Sequence, residues 1–406
     1  MTRKFSFGPG ALVAAAFIGP GTVTACTLAG ANFGFALVWA LVFATAATII
    51  LQEMTVRLGI LGGAGLGEAL VAPGTPAVLK WGAILLVLAA LALGNAAYEA
   101  GNITGGALGL RAILGEQEGG SVQRIAALAI GLLAALVLLL GRYKTLERFL
   151  VGLVILMSLA FAGSLILVRP DIGAMIGGLR PTLPDGSLLA AMALIGTTIV
   201  PYNLFLHAVA VRERWKENTQ AGLSAAIADT RVSVGLGGLI SILVLSTAAA
   251  SLFGAGIVIN SGADMAAALE PAYGPAARVL IGAGLCAAGL SSAITAPLAT
   301  AYAVCEVTGR PKSGWVFKGI ALTIVFIGLG VALLGIRPIE LILVAQVANG
   351  LLLPVVAAFL LITMNRKSVL GEHTNGPVRN ALGVLVVMIA AFLGLRLILR
   401  AVGVWP

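Results

Sequence analysis

Eleven stretches of about twenty consecutive apolar residues run along this chain, with approximate limits 9–31, 36–57, 79–110, 124–141, 147–168, 187–211, 230–253, 278–304, 316–335, 339–363 and 381–402. About twenty apolar residues in a helix cross the hydrocarbon core of a bilayer, where backbone polar groups must be satisfied within the segment itself. A transmembrane β-barrel uses alternating segments of about ten residues, so runs of this length exclude it. Only 10% of the 406 residues are charged and 60% are hydrophobic. A soluble domain carries about 25% charged residues, so a soluble enzyme, a disordered chain, a coiled coil and a disulfide scaffold are all excluded. The expected fold is an all-α polytopic membrane protein forming one domain over 1–406. The longest pieces between spans are 58–78, 169–186, 212–229, 254–277 and 364–380, too short for a soluble domain. Within one of them, Asn260 to Tyr273 is expected to form a short amphipathic helix.

The net charge of +9 would suggest nucleic acid in a soluble protein. Here it reads as topology. With a cytoplasmic N-terminus, 17 of the 25 Lys and Arg fall on the inner side, among them Arg3, Lys4, Arg142, Lys144, Arg212, Arg214, Lys312 and Lys367. Positive charge favours cytoplasmic loops, so the expected placement is multi-pass in the inner (plasma) membrane, N-terminus in and C-terminus out. Cys26, Cys286 and Cys305 all lie in apolar stretches, and an odd number there supplies no disulfide framework.

Two spans contain helix-breaking residues at mid-membrane depth: Gly19-Pro20-Gly21-Thr22 and Gly196-Thr197-Thr198-Ile199-Val200-Pro201-Tyr202-Asn203. Proline removes an amide donor and clashes with the preceding turn. Broken backbone is tolerated inside a membrane only where protein or a watery cavity satisfies it. The two breaks occupy matching places in successive five-span halves, about 9–168 and 187–363. An odd number of spans per half forces opposite orientations. An inverted repeat with paired broken helices is the signature of a secondary transporter, and 381–402 is then an extra helix.

These segments resemble the Nramp (natural resistance-associated macrophage protein) family of divalent-metal transporters. The resemblance rests on Gly8-Pro9-Gly10, Gly19-Pro20-Gly21-Thr22, Ala29-Gly30, Phe33-Gly34 and Arg57-Leu58-Gly59. It continues through Gly196 to His207, Ser291-Ser292-Ala293-Ile294-Thr295, Gln346 and Pro354. It implies a LeuT-like fold of ten inverted-repeat spans plus one, with helices 1 and 6 broken. It also implies a substrate site at Gly19, Thr22, Thr197, Val200, Tyr202, Asn203 and Gln346. Glu99, Asn102 and His207 take the places of a proton pathway or gate. The usual Asp-Pro-Gly-Asn has become Gly19-Pro20-Gly21-Thr22, and the usual Met-Pro-His has become Val200-Pro201-Tyr202. The carboxylate and the soft thioether ligand of a transition metal are both gone. One acid of the usual Asp-x-x-Glu pair remains, at Glu99.

The ligands left for a metal are neutral oxygens: the Gly19 and Thr197 carbonyls, the Thr22 hydroxyl and the side chains of Asn203 and Gln346. Such a set suits a hard, partly hydrated cation. Three readings stay open: an Nramp-type carrier of a divalent metal with an altered, harder and proton-linked site; the same fold carrying a small organic or amino acid; and a binding protein that does not transport. No nucleophile–base pair or phosphate loop points to an enzyme, and no cofactor is expected. The expected partners are the transported ion or small solute and the lipid bilayer, without nucleic acid; a monomer is the default.

Overall fold

The computed structural model describes residues 8–10, 18–115, 120–141, 144–215 and 220–404. Its elements are α1 (Pro20–Phe33), α2 (Val38–Leu61), α3 (Leu66–Leu70), α4 (Ala77–Leu114), α5 (Gly120–Leu140), α6 (Lys144–Val168), α7 (Ile172–Gly177), α8 (Leu188–Thr198) and α9 (Pro201–Arg214). There follow α10 (Gln220–Leu252), α11 (Gly262–Ala266), α12 (Glu270–Tyr273), α13 (Ala276–Thr308), α14 (Gly314–Ala332), α15 (Pro338–Met364), α16 (Lys367–Leu370) and α17 (Pro377–Ala401). Four of these helices open on a proline, at Pro20, Pro201, Pro338 and Pro377. Proline suits that first position, where its missing amide would have no intrahelical partner and its fixed φ matches the helix.

Among the described residues, ten helical stretches are long and apolar enough to cross a membrane, and they coincide with the expected spans from the second onward. The expected first span, 9–31, lies partly outside the described residues; its described helix is Pro20–Phe33. Two limits differ from expectation. Helix α10 starts at Gln220 rather than near 230, because its polar first turns continue the helix beyond the apolar run. The amphipathic helix expected over Asn260 to Tyr273 is two short helices, α11 and α12. The first is closed by a capping box in which Ser261 and Asp264 each bind the other's backbone amide.

Helix α4 is the organising element. It packs against α13, α14 and α15, while α1 lies along α10, α8 along α15 and α9 along α2. Between α4 and α13 the backbones meet directly. A Cβ at Gly289 would overlap the Gly106 backbone, and one at Gly109 would overlap that of Gly282 and Cys286. Close backbone approach at small residues is the usual way membrane helices gain packing, since lipid tails are as apolar as leucine. A π-helical segment, Val87–Leu93, interrupts α4 just before Asn95.

Candidate functional site

The second expected break falls between two helices. Helix α8 stops at Thr198 and α9 begins at Pro201, with Val200 extended (φ −83°, ψ 119°). The Val200 carbonyl accepts from the Asn203 amide, and Ile199 N still donates to Ile195 O. At the first motif, Gly19 caps α1 in an extended conformation. Its carbonyl accepts from the amides of Thr22 and Val23, so it is already engaged in opening its own helix.

The two motifs touch. Thr22 Oγ1 and Thr197 Oγ1 are 2.8 Å apart and both residues are buried. Helix α15 passes beside both motifs: a Cβ at Gly21 would overlap the Gln346 carboxamide, and one at Gly196 would overlap the Gln346 backbone carbonyl. Glycine is required at 21 and 196 by this close approach. Gln346 Oε1 and Asn203 Oδ1 are buried without a hydrogen-bond partner. Native structures rarely leave buried acceptors unpaired, which sets these two oxygens apart from the hydrogen-bonded threonines.

Tyr202 packs edge-on against Tyr98 at 5.6 Å between ring centroids, and both are fully buried. A Cβ on Gly19 would stand 3.0 Å from Ser292 Oγ and 3.6 Å from the Tyr98 hydroxyl. The place of the usual aspartate is therefore faced by two hydroxyls. Sequence reasoning assigned neither Tyr98 nor Ser292 to the site. Tyr98 had one signal, its position one residue before Glu99 on a helix with few aromatics.

Glu99 and Asn102 follow Tyr98 on α4. Glu99 Oε2 accepts from Asn102 Nδ2 at 3.2 Å, Oε1 has no partner, and the side chain lies against the Gly328 position of α14. His207 is a third location, wholly buried on α9. Its Nδ1 lies 2.8 Å from Gln52 Oε1 and 3.0 Å from Thr55 Oγ1 on α2, and its Nε2 lies 3.4 Å from Thr230 Oγ1 on α10. A carboxamide oxygen only accepts, so Nδ1 donates to Gln52. The histidine thereby joins the inner half of the broken helix to its neighbours.

A cavity of about 180 Å³ opens one to two turns from Thr22 and Gln346, along the same three helices. Ala25, Leu28, Leu189 and Leu343 wall it, with Asn32 at its edge. At the far end of α9, polar contacts tie the helix ends and loops together. Arg212, at the end of α9, donates to Glu68 at 2.6 Å and to the Gly63 carbonyl at 3.2 Å. Lys312 bridges Glu68 and Glu306, and Glu306 accepts the Gly67 amide at 2.9 Å. Asp229 accepts the Gly10 amide at 2.8 Å, and Arg57 donates to Asn375 and to the His373 carbonyl. Burial alone would raise the Glu68 carboxyl. Hydrogen bonds from Lys312, the Gly65 amide and Arg212 outweigh it and hold the group at about 2.

Residues 10–400 match the natural resistance-associated macrophage protein-like family profile. The chain belongs to the Nramp family. Among this Nramp member's relatives is a protein of Pectobacterium carotovorum described as a divalent metal cation transporter MntH. It is 27% identical over 97% of this chain and 93% of the relative. An MntH of Aeromonas hydrophila is 26% identical over 98% of this chain and 97% of its own length. The manganese transporter of Eremococcus coleocola superposes with a TM-score of 0.78 at 23% identity, covering 97% of this chain and 88% of that one. The fold extends beyond Nramp proteins. Mhp1, a nucleobase-cation-symport-1 family transporter, superposes at 0.62 and 18% identity, covering 98% of this chain and 93% of its own. The amino-acid-bound MhsT superposes at 0.61 and 16%, covering 97% and 98%. This Nramp member thus has the LeuT-like fold expected for it. Among its described residues no group of three or more His, Cys, Asp or Glu gathers as a metal site.

Proposed function

We propose that this chain is a secondary transporter that carries a divalent metal cation across the membrane, between α1 and the α8–α9 interruption. The cargo is of the hard, oxygen-preferring class and keeps part of its water. The observation that carries this reading is the pair of unpartnered buried oxygens, Asn203 Oδ1 and Gln346 Oε1, beside the coupled threonines and within a family whose relatives are described as divalent metal cation transporters. Neutral oxygens with retained water suit Mg²⁺, which dehydrates reluctantly. A bare dication without countercharge would be too costly to bury. The substrate ligands are Thr22, Asn203 and Gln346, with the Thr197 and Gly19 carbonyls behind them. Val200 and Tyr202 shape the wall, His207 acts in gating, and Glu99 with Asn102 carries a linked proton. The chain sits in the inner membrane with its N-terminus cytoplasmic and its two five-span halves inverted, and it works as a monomer.

The deciding experiment is uptake into liposomes against empty vesicles, with Mg²⁺ and Mn²⁺ offered separately at two pH values. Saturable Mg²⁺ uptake exceeding that of Mn²⁺ is expected. No uptake of either at millimolar concentration, together with stabilisation by an amino or organic acid in a thermal-shift screen, would overturn the metal reading.

A further inference from the structure

Helix α17 buries one stripe along its length, through Gly383, Val386, Ala390, Leu393 and Gly394. At helical spacing of three and four residues, that stripe continues into Arg396, Leu397 and Arg400. There the end of α17 and the start of α8 enclose a cleft of about 270 Å³, lined by Gly186, Leu188, Leu189, Leu397, Arg400 and Ala401. Its walls are leucines, and its charged group is a guanidinium. One turn deeper, Arg396 Nε is buried without a hydrogen-bond partner. The ion pairs among the described residues include neither arginine. The neighbouring acid in sequence, Asp185, is joined to neither.

Depth decides what such a cleft can hold. The 25 residues of α17 rise about 37 Å, more than the roughly 30 Å hydrocarbon core. Arg400, next to the helix end, therefore reaches headgroup level, and Arg396 lies about 6 Å further in, at the acyl boundary. A cation at that depth is costly unless an anion meets it. We propose that this cleft binds an anionic phospholipid. The guanidiniums of Arg396 and Arg400 grip its phosphate, a geometry to which arginine's fork is matched. The leucine walls take the first part of an acyl chain. Because α8 is the half-helix that ends at the interruption, a lipid seated there braces one side of the transport site.

The test uses the full chain purified in detergent and titrated separately with dioleoylphosphatidylglycerol, dioleoylphosphatidylcholine and inorganic phosphate, read by native mass spectrometry and thermal shift. Phosphatidylglycerol is expected to bind and stabilise, and the other two to do neither. Each arginine near an anionic headgroup contributes about fivefold, so R396Q/R400Q should weaken retention by about thirtyfold, while R396K/R400K keeps most of it. If the double glutamine variant fails to fold, the exposed Arg400→Gln alone carries the test, with about a fivefold loss expected. Unchanged phosphatidylglycerol affinity in the folded variant overturns the proposal. So does equal stabilisation by inorganic phosphate, which would mark a free-anion site, or by phosphatidylcholine.

Discussion

Single atoms set the chemistry here. Gln346 and Asn203 each present a buried carbonyl oxygen with no partner, and Gly21 holds Gln346 in place by having no side chain. Gly21→Ala should therefore cost about 1–3 kcal/mol by overpacking and abolish uptake, whereas Gln346→Ala should fold normally and lose uptake alone; thermal unfolding beside vesicle uptake separates the two. Gly19→Asp with Val200→Met restores a carboxylate and a thioether, and calorimetry should then detect Mn²⁺ binding created or strengthened relative to the parent chain. The new side chain at 19 would meet the Ser292 and Tyr98 hydroxyls, so an unchanged isotherm would count against the site's assignment. Glu99 is buried with one oxygen unpartnered. Glu99→Gln should keep the fold and remove the pH dependence of transport.

At the scale of elements, Ile199 and Val200 separate α8 from α9, and the end of α9 is held by Arg212. The carboxyl of its partner, Glu68, is held at about 2, below the ordinary carboxylate range. Its stabilising contribution is thus fully present above that range and is lost only as pH falls toward 2. Glu68→Gln should cost less than about 1 kcal/mol, as partly exposed pairs do, and raise the accessibility of a cysteine probe on α9 to aqueous reagents. It should leave the pH midpoint of transport unmoved, because Glu68 does not titrate between pH 5 and 8. Much of the element level was legible beforehand. Pro20 and Pro201 were read as breaks within the first and sixth apolar runs and turn out to open helices, and ten of the eleven runs coincide with helices long and apolar enough to span. What was not legible depended on partners distant in sequence. The polar turns of α10 before residue 230 looked like loop because helix there is favoured by the Asp229 contact to Gly10 and by packing, neither of which hydropathy registers. Tyr98 and Ser292 joined the site only through their facing of Gly19.

Across the whole molecule, the contact of α4 with α13 is the part least able to yield, because backbone meets backbone at Gly106 and Gly289. Gly289→Val should prevent correct assembly, visible as loss of the monodisperse peak in fluorescence-detected size exclusion, while a valine at the open Gly330 position should be tolerated. The rigid pair then contrasts with the polar ties at the far end of α9, which can open without unpacking a core. The neutrality of the cavity between α1 and the α8–α9 break has an electrical consequence. A carrier whose site holds a carboxylate returns empty with that negative charge still in the field. In the proposed site the substrate-facing side chains bear no charge, so the charge displaced per turnover belongs to the cargo and to the proton linked through Glu99. A potential of 100 mV acts with about 2.3 kcal/mol on each elementary charge. Voltage, by that account, acts on cargo and linked proton and on no carboxylate among the substrate ligands.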